Sequence, residues 1–125
     1  MDLSFKTLSI ASATIAGALF LILLFVPGVV FWLFQIPASD SAAFLARRAA
    51  VLFLGFGVIM WRIRDAVASP AIHAICVGWG VAMLALAVLG SMEFVRGFAG
   101  GGIFAAVAIE TFLGVSYLRL ALKMR

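Results

Sequence analysis

Four long apolar stretches, separated by short segments that hold most of the charge, constrain this chain more than any other feature. They run from Leu8 to Phe34, Ser41 to Trp61, Pro70 to Leu89 and Gly101 to Leu120. Each reaches the roughly 20 residues needed to cross a bilayer core about 30 Å thick. With 66% hydrophobic and 11% charged residues over 125 positions, a water-soluble fold would expose large apolar patches and aggregate. Lipid removes that problem. A membrane β-barrel needs alternating segments of about ten residues with a polar inner face, and no such alternation is present. The expected class is therefore all-α: a polytopic membrane protein forming one four-helix transmembrane bundle over residues 1–125.

The first stretch is too long for one straight span, and Pro27 lies inside it. A proline there removes a helix hydrogen bond and clashes with the preceding turn, which predicts a bend or break at Pro27. The following segment, Val29 to Ile36, carries Phe31, Trp32 and Phe34 and is expected along the membrane interface. The uncharged run from Thr7 to Ser39 far exceeds the apolar region of a signal peptide, so it is read as a retained first span. Asp40 or Ser41 is available to cap the second helix, and Ser69 followed by Pro70 to cap the third. The segment from Ser91 to Gly102, with Gly97, Gly100, Gly101 and Gly102, reads as a flexible turn. No β-strand precedes those glycines and no Lys-Ser or Lys-Thr pair follows them, so they do not form a phosphate loop.

Net charge +4 and a pI near 10.3 do not point to nucleic acid, because the nine basic residues are scattered between apolar spans. They report orientation instead. Lys6, Arg62, Arg64, Arg119, Lys123 and Arg125 fall on the side of the termini, and Arg47, Arg48 and Arg96 on the other. That bias places both termini in the cytoplasm. A lone Cys76 with a lone His73 excludes an internal disulfide and a two-residue zinc frame. His73 on the third span has the neighbours of a haem or chlorin ligand, Ala71 and Ala74. It has no second histidine beside it, and an interfacial role near the Arg62–Asp65 loop is the simpler reading. No cofactor and no catalytic residue is assigned.

Glu110 is the residue most in need of a reason, since a carboxylate halfway along a span costs several kcal/mol. It shares a helical stripe with Ala106, Val107, Gly114 and Tyr117, while Phe112 and Val115 lie opposite, so it is expected to face the bundle interior. Two readings stand: a proton or cation site, or a neutral or ion-paired acid that fixes helix packing. Arg48, on a stripe with Leu52, Gly55 and Ile59, is the candidate partner. It lies about 7 Å away in depth at 1.5 Å per residue. Its alternative, shared with Arg47, is to reach outward to lipid headgroups. Small residues at four-residue spacing, Ala13 and Gly17 in the first span and Ala74, Gly78 and Ala82 in the third, with Gly114 in the fourth, mark candidate helix-packing faces.

The pattern Pro27-Gly28 with Phe31, Leu33 and Phe34, then Ala43-Phe44-Leu45-Ala46-Arg47, Leu54-Gly55-Phe56-Gly57, Trp61-Arg62-Ile63-Arg64-Asp65 and Ser69-Pro70, resembles uncharacterised four-helix bacterial membrane proteins. It is similar in layout to the DoxX-like group. The resemblance implies a bacterial inner-membrane four-helix fold and carries no active-site residues with it. Small multidrug transporters share length and span count, but their essential acid lies in the first span, where this chain has none. Three functions follow in order of expectation. The first is a non-enzymatic accessory or scaffold subunit packing in the bilayer against other membrane proteins or itself, for example in a bioenergetic complex. The second is a small homo-oligomeric transporter or channel using Glu110. The third is an enzyme, which would need a second titratable group beside Glu110.

Overall fold

The computed structural model describes residues 3–125, and these form five helices with no strand among them. Helix α1 spans Phe5–Phe25, α2 Gly28–Phe34, α3 Asp40–Arg62, α4 Pro70–Val95 and α5 Ile103–Lys123. Four of them, all but α2, are long and apolar enough to cross a membrane. In hydrocarbon every backbone N–H and C=O must be satisfied internally, and a helix does so within its own segment. The protein is therefore an all-α integral membrane bundle.

Pro27 ends the first span. Helix α1 stops at Phe25, Val26 leaves helical geometry at φ −137° and ψ 57°, and Pro27 opens the short helix α2. The break lets α2 double back over the bundle with Phe31 buried beneath it and Trp32 exposed. Gln35 closes α2 in the left-handed region at φ 53°. Ser39, not Asp40 or Ser41, caps α3: its extended backbone aims Oγ at the amide of Ala42, 3.0 Å away. Ser69 caps α4 in the same manner, with Pro70 in the first turn. Helix α4 outruns its apolar stretch by six residues, ending at Val95 instead of Leu89. Its 26 residues extend about 39 Å at 1.5 Å each, so the last turn leaves the bilayer core. There Glu93 is paired with Arg96 at 3.1 Å.

The glycine-rich connection is docked, not free. Gly100 donates its amide to the carbonyl of Phe34 at 2.8 Å, satisfying an orphan acceptor at the end of α2. A Cβ on Gly100 would collide with Gln35, and one on Gly102 with the backbone carbonyl of Leu33. These glycines are there because the α4–α5 turn and the end of α2 touch backbone to backbone.

The spans pair as two hairpins, α1 with α3 and α4 with α5. Small residues line the first seam: Ala16, Ala46 and Ala50 are buried, and Gly57 approaches Ala13 and Ala16 with room for one methyl group. The second seam is tighter. A Cβ on Gly80 would stand 2.7 Å from Leu118 and 3.2 Å from the carbonyl oxygen of Gly114. One on Gly114 would stand 2.7 Å from Leu84 and 3.1 Å from that of Gly80. Ala74 and Gly78 lie elsewhere, on an exposed side of α4, with nothing within 4 Å of a Cβ on Gly78; Ala82 is half-buried. The buried stripe on α4 is Ile72, Cys76, Gly80, Met83 and Ala87. The stripe through Ala74 and Gly78 is not the one that crosses α5, because the glycines at that seam are Gly80 and Gly90, where an added Cβ would stand 3.1 Å from Val107 and 3.3 Å from Ile103.

At the end of the bundle that holds both termini, Lys6 Nζ meets Asp65 at 2.8 Å, joining the start of α1 to the α3–α4 loop. The hydrogen bond from Lys6 holds the Asp65 carboxyl below its ordinary value, aided by the charges of Lys6 and Arg64. A depressed carboxylate contributes above its unfolded pKa and is lost as pH falls through the folded one. Both groups are largely exposed, so the contribution is small. The Gly80–Gly114 crossing sets a stronger requirement. Gly114→Val is expected to destabilise the bundle by roughly 1–3 kcal/mol through overpacking. Gly78→Ala should leave thermal unfolding in detergent unchanged or slightly raised, since Ala favours helix and meets no neighbour.

Candidate intramembrane site

The bundle is packed unevenly along its length. Near the basic end Phe5, Leu8, Met60, Ile72, Cys76, Leu113, Tyr117 and Ala121 form a closed core, with Tyr117, Met60 and Cys76 at 0% exposure. Its polar centre is Tyr117. The phenol hydroxyl of α5 donates to the backbone carbonyl of Leu8 at 3.1 Å and lies 2.6 Å from the hydroxyl of Ser12 on α1. With its own proton on Leu8, the Tyr117 oxygen accepts from Ser12. This is the buried side-chain hydrogen-bond link between the two hairpins.

Above that plug the hairpins part around a cavity of about 250 Å³. Ser12, Ile15, Ala16 and Leu19 of α1 form one side, and Phe53 and Phe56 of α3 another. Trp79 and Met83 of α4 and Ala106, Ile109, Glu110 and Leu113 of α5 complete the wall. Val29, Val30, Leu33 and Phe34 of α2 roof it. The break at Pro27 thus positions the roof. Phe56 and Trp79 stack across the α3–α4 side with ring centroids 3.6 Å apart and planes inclined by 21°. The wall is almost wholly apolar, and Glu110 is its one acidic residue.

Glu110 is half-buried, on the side of α5 that carries Gly114 and Tyr117, with Phe112 and Val115 exposed opposite. Its carboxyl has no hydrogen-bond or ion-pair partner among the described residues, whose ion pairs include Lys6–Asp65, Arg64–Asp65 and Arg96–Glu93. The structure does not bring Arg48 to it. Arg48 is exposed, 5.9 Å over the ring of Phe44, and its whole stripe of Leu52, Gly55 and Ile59 is exposed with it. The inward stripe of α3 is Ala46, Ala50, Phe53, Gly57 and Met60, and a helix turns Arg48 about 200° away from Ala46. Depth along the bilayer was within reach; azimuth was not.

Three buried polar atoms lack partners among the described residues: Ser9 Oγ, His73 Nε2 and Trp79 Nε1. Trp79 lines the Glu110 cavity, whereas Ser9 and His73 belong to the basic half. Nothing in the sequence singled out Trp79, because an aromatic within a continuous apolar run carries no sign of which helix face it occupies. No group of three or more His, Cys, Asp or Glu side chains is assembled for a metal among the described residues. On the outer surface Ala13, Gly17 and Gly57 border a shallow groove between α1 and α3, together with Thr14, Leu54 and Trp61.

Compared with protein-family models, with curated proteins and with solved structures, the chain matches none.

The Tyr117 link generates a graded expectation. Tyr117→Phe removes both hydrogen bonds and leaves the buried Ser12 hydroxyl without its partner, while the Leu8 carbonyl keeps its helical bond, at a cost of roughly 1–3 kcal/mol. Ser12→Ala keeps the bond to Leu8 and should cost less than half of that. The two changes together should be no worse than Tyr117→Phe alone, as measured by thermal or denaturant unfolding in detergent.

Proposed function

We propose that the protein is a small, non-enzymatic membrane carrier whose Glu110 holds a proton or cation inside the bundle. The observation that supports this is the carboxyl of Glu110, half-buried on the inward side of α5 beside an apolar cavity and without a partner among the described residues. A packing role for an intramembrane acid requires a partner to hydrogen-bond or neutralise it, and none stands beside this one. A carboxyl kept at several kcal/mol in lipid without such a partner is explained by use. The closed core below the cavity favours a site that opens to one side at a time over a continuous pore. The site faces the interior of a single chain, so it does not require a pathway shared between copies.

The rest of the reading is topological. The cytoplasmic membrane of a bacterium is the proposed location, with the layout of the DoxX-like group and both termini in the cytoplasm. Cysteine at Ser39 is then expected to react with an impermeant thiol reagent from outside intact cells, and cysteine at Lys123 only after permeabilisation. The opposite labelling would invert the topology.

An accessory role is the second reading, favoured by the unfilled faces around Gly17, Gly55 and Gly78, where no atom stands within 4 Å of an added Cβ. Stoichiometric co-purification of another membrane protein in mild detergent would support it. The test between the two is proton movement in vesicles carrying the purified protein, read by an internal pH dye under an imposed gradient. Wild type should collapse the gradient, and Glu110→Gln should abolish that while unfolding within a few degrees of wild type. Equal flux from both proteins would overturn the carrier reading.

A further inference from the structure

We infer that the cavity between the hairpins holds the hydrocarbon tail of a membrane lipid, selected by shape and apolarity without a polar partner. The inference goes beyond the reading of Glu110 and does not depend on its charge. The wall is the first ground for it. Side chains from all five helices line the space, chiefly isoleucine, leucine, valine and phenylalanine, and almost no polar atom turns toward it. The Ser12 hydroxyl is engaged by Tyr117, and Trp79 Nε1 is buried within the wall. A water needs several polar partners and finds none here, so the cavity is dry. An ion would find no ligands in it either.

Size and access decide which apolar molecule fits. An apolar cavity of about 150 Å³ takes up one benzene, so about 250 Å³ accommodates on the order of ten carbon atoms. One turn of a helix, about 10 Å across and 5.4 Å long, fills roughly 400 Å³, which excludes a partner helix. A hydrocarbon chain is narrow enough. Leu86 of α4 and Ile109 of α5 line the cavity and are 41% and 48% exposed, so the space is not sealed from the surrounding bilayer. The molecules standing at those rims are lipid tails. Moving a tail from lipid into an apolar site brings no hydrophobic gain, so the driving force is the filling of the void. Empty, the walls lack dispersion contacts on one side; a tail supplies them and breaks no hydrogen bond.

The probe is a phosphatidylcholine brominated halfway along its tails, because bromine beside a tryptophan quenches its fluorescence. In the full chain bearing Trp32→Phe and Trp61→Phe, Trp79 on the cavity wall is the remaining tryptophan. The reference replaces all three tryptophans by Phe and carries Val81→Trp, on the exposed side of α4 and about 3 Å further along the helix. Both proteins are reconstituted in the brominated lipid and mixed rapidly with an excess of unbrominated lipid. The reference should recover its emission as the surrounding lipid exchanges. Trp79 should recover about tenfold more slowly, since a difference in affinity is expressed chiefly in the dissociation rate. Ala106→Phe, which fills the cavity from α5, should abolish the lag, while Gly78→Ala outside it should not. Brominated phosphatidylglycerol should give the same lag as phosphatidylcholine. Recovery of Trp79 together with the reference, or a lag that survives Ala106→Phe or changes with the head group, would overturn the tail site. Glu110→Gln should keep the lag while it stops proton movement in vesicles, so either reading can fail without the other.

Discussion

Tyr117 is where the two halves of this bundle become one structure. Each hairpin is held by helix crossings at small residues, Gly57 against Ala13 and Ala16, and Gly80 against Gly114. Backbones approach closely within hairpins and only loosely between them. In lipid, apolar faces gain little by leaving the solvent for each other, so shape and hydrogen bonds decide which helices associate. The phenol of Tyr117, wholly buried and bonded to Leu8 and Ser12, supplies such a bond at the centre of the interface. It also requires α1 and α5 to meet at one depth, which closes the basic half.

The looseness between hairpins has a counterpart higher in the bundle. Where Tyr117 no longer fills the interface, Ile15, Leu19, Phe56, Met83 and Ile109 leave a space that α2 covers. That roof depends on two local devices far apart in sequence. Pro27 stops α1 and frees α2 to turn inward, and Gly100 and Gly102 let the α4–α5 connection pack against the end of α2. A side chain at Gly102 would press into the backbone of Leu33, and one at Gly100 into the side chain of Gln35. Cavity, roof and plug are thus one consequence of an interface held at one end.

Glu110 gains its interest from this arrangement. On a densely packed α5 it would have needed a neutralising partner on a neighbouring helix, which is why Arg48 was its natural candidate. The spacing of α3 instead turns Arg48 to the exposed side, where its guanidinium lies over the ring of Phe44. The acid is left half-buried beside the cavity that Phe56 and Trp79 also line, without a partner among the described residues.

Span number, helix class and the break at Pro27 were legible in the chain because each follows from a one-dimensional quantity: the length of an uncharged run, or a missing amide donor. The inward side of α5 was legible as well, since Gly114, Tyr117 and Glu110 stand opposite the bulky Phe112 and Val115. Helix azimuth was not legible on α4, whose faces are apolar nearly all round; on α3 the exposed Arg47 and Arg48 mark the outer side, so the stripe through Arg48 points outward like that through Ala74 and Gly78, and Gly80 marks the true crossing. In water the buried face of a helix announces itself by polarity, but in lipid both faces are apolar, so the sequence by itself determined that four helices span and where they break. Which faces meet, where the Ser12–Tyr117 link falls and that Glu110 borders a cavity were decided only by the fit of side-chain shapes and the few hydrogen bonds between hairpins.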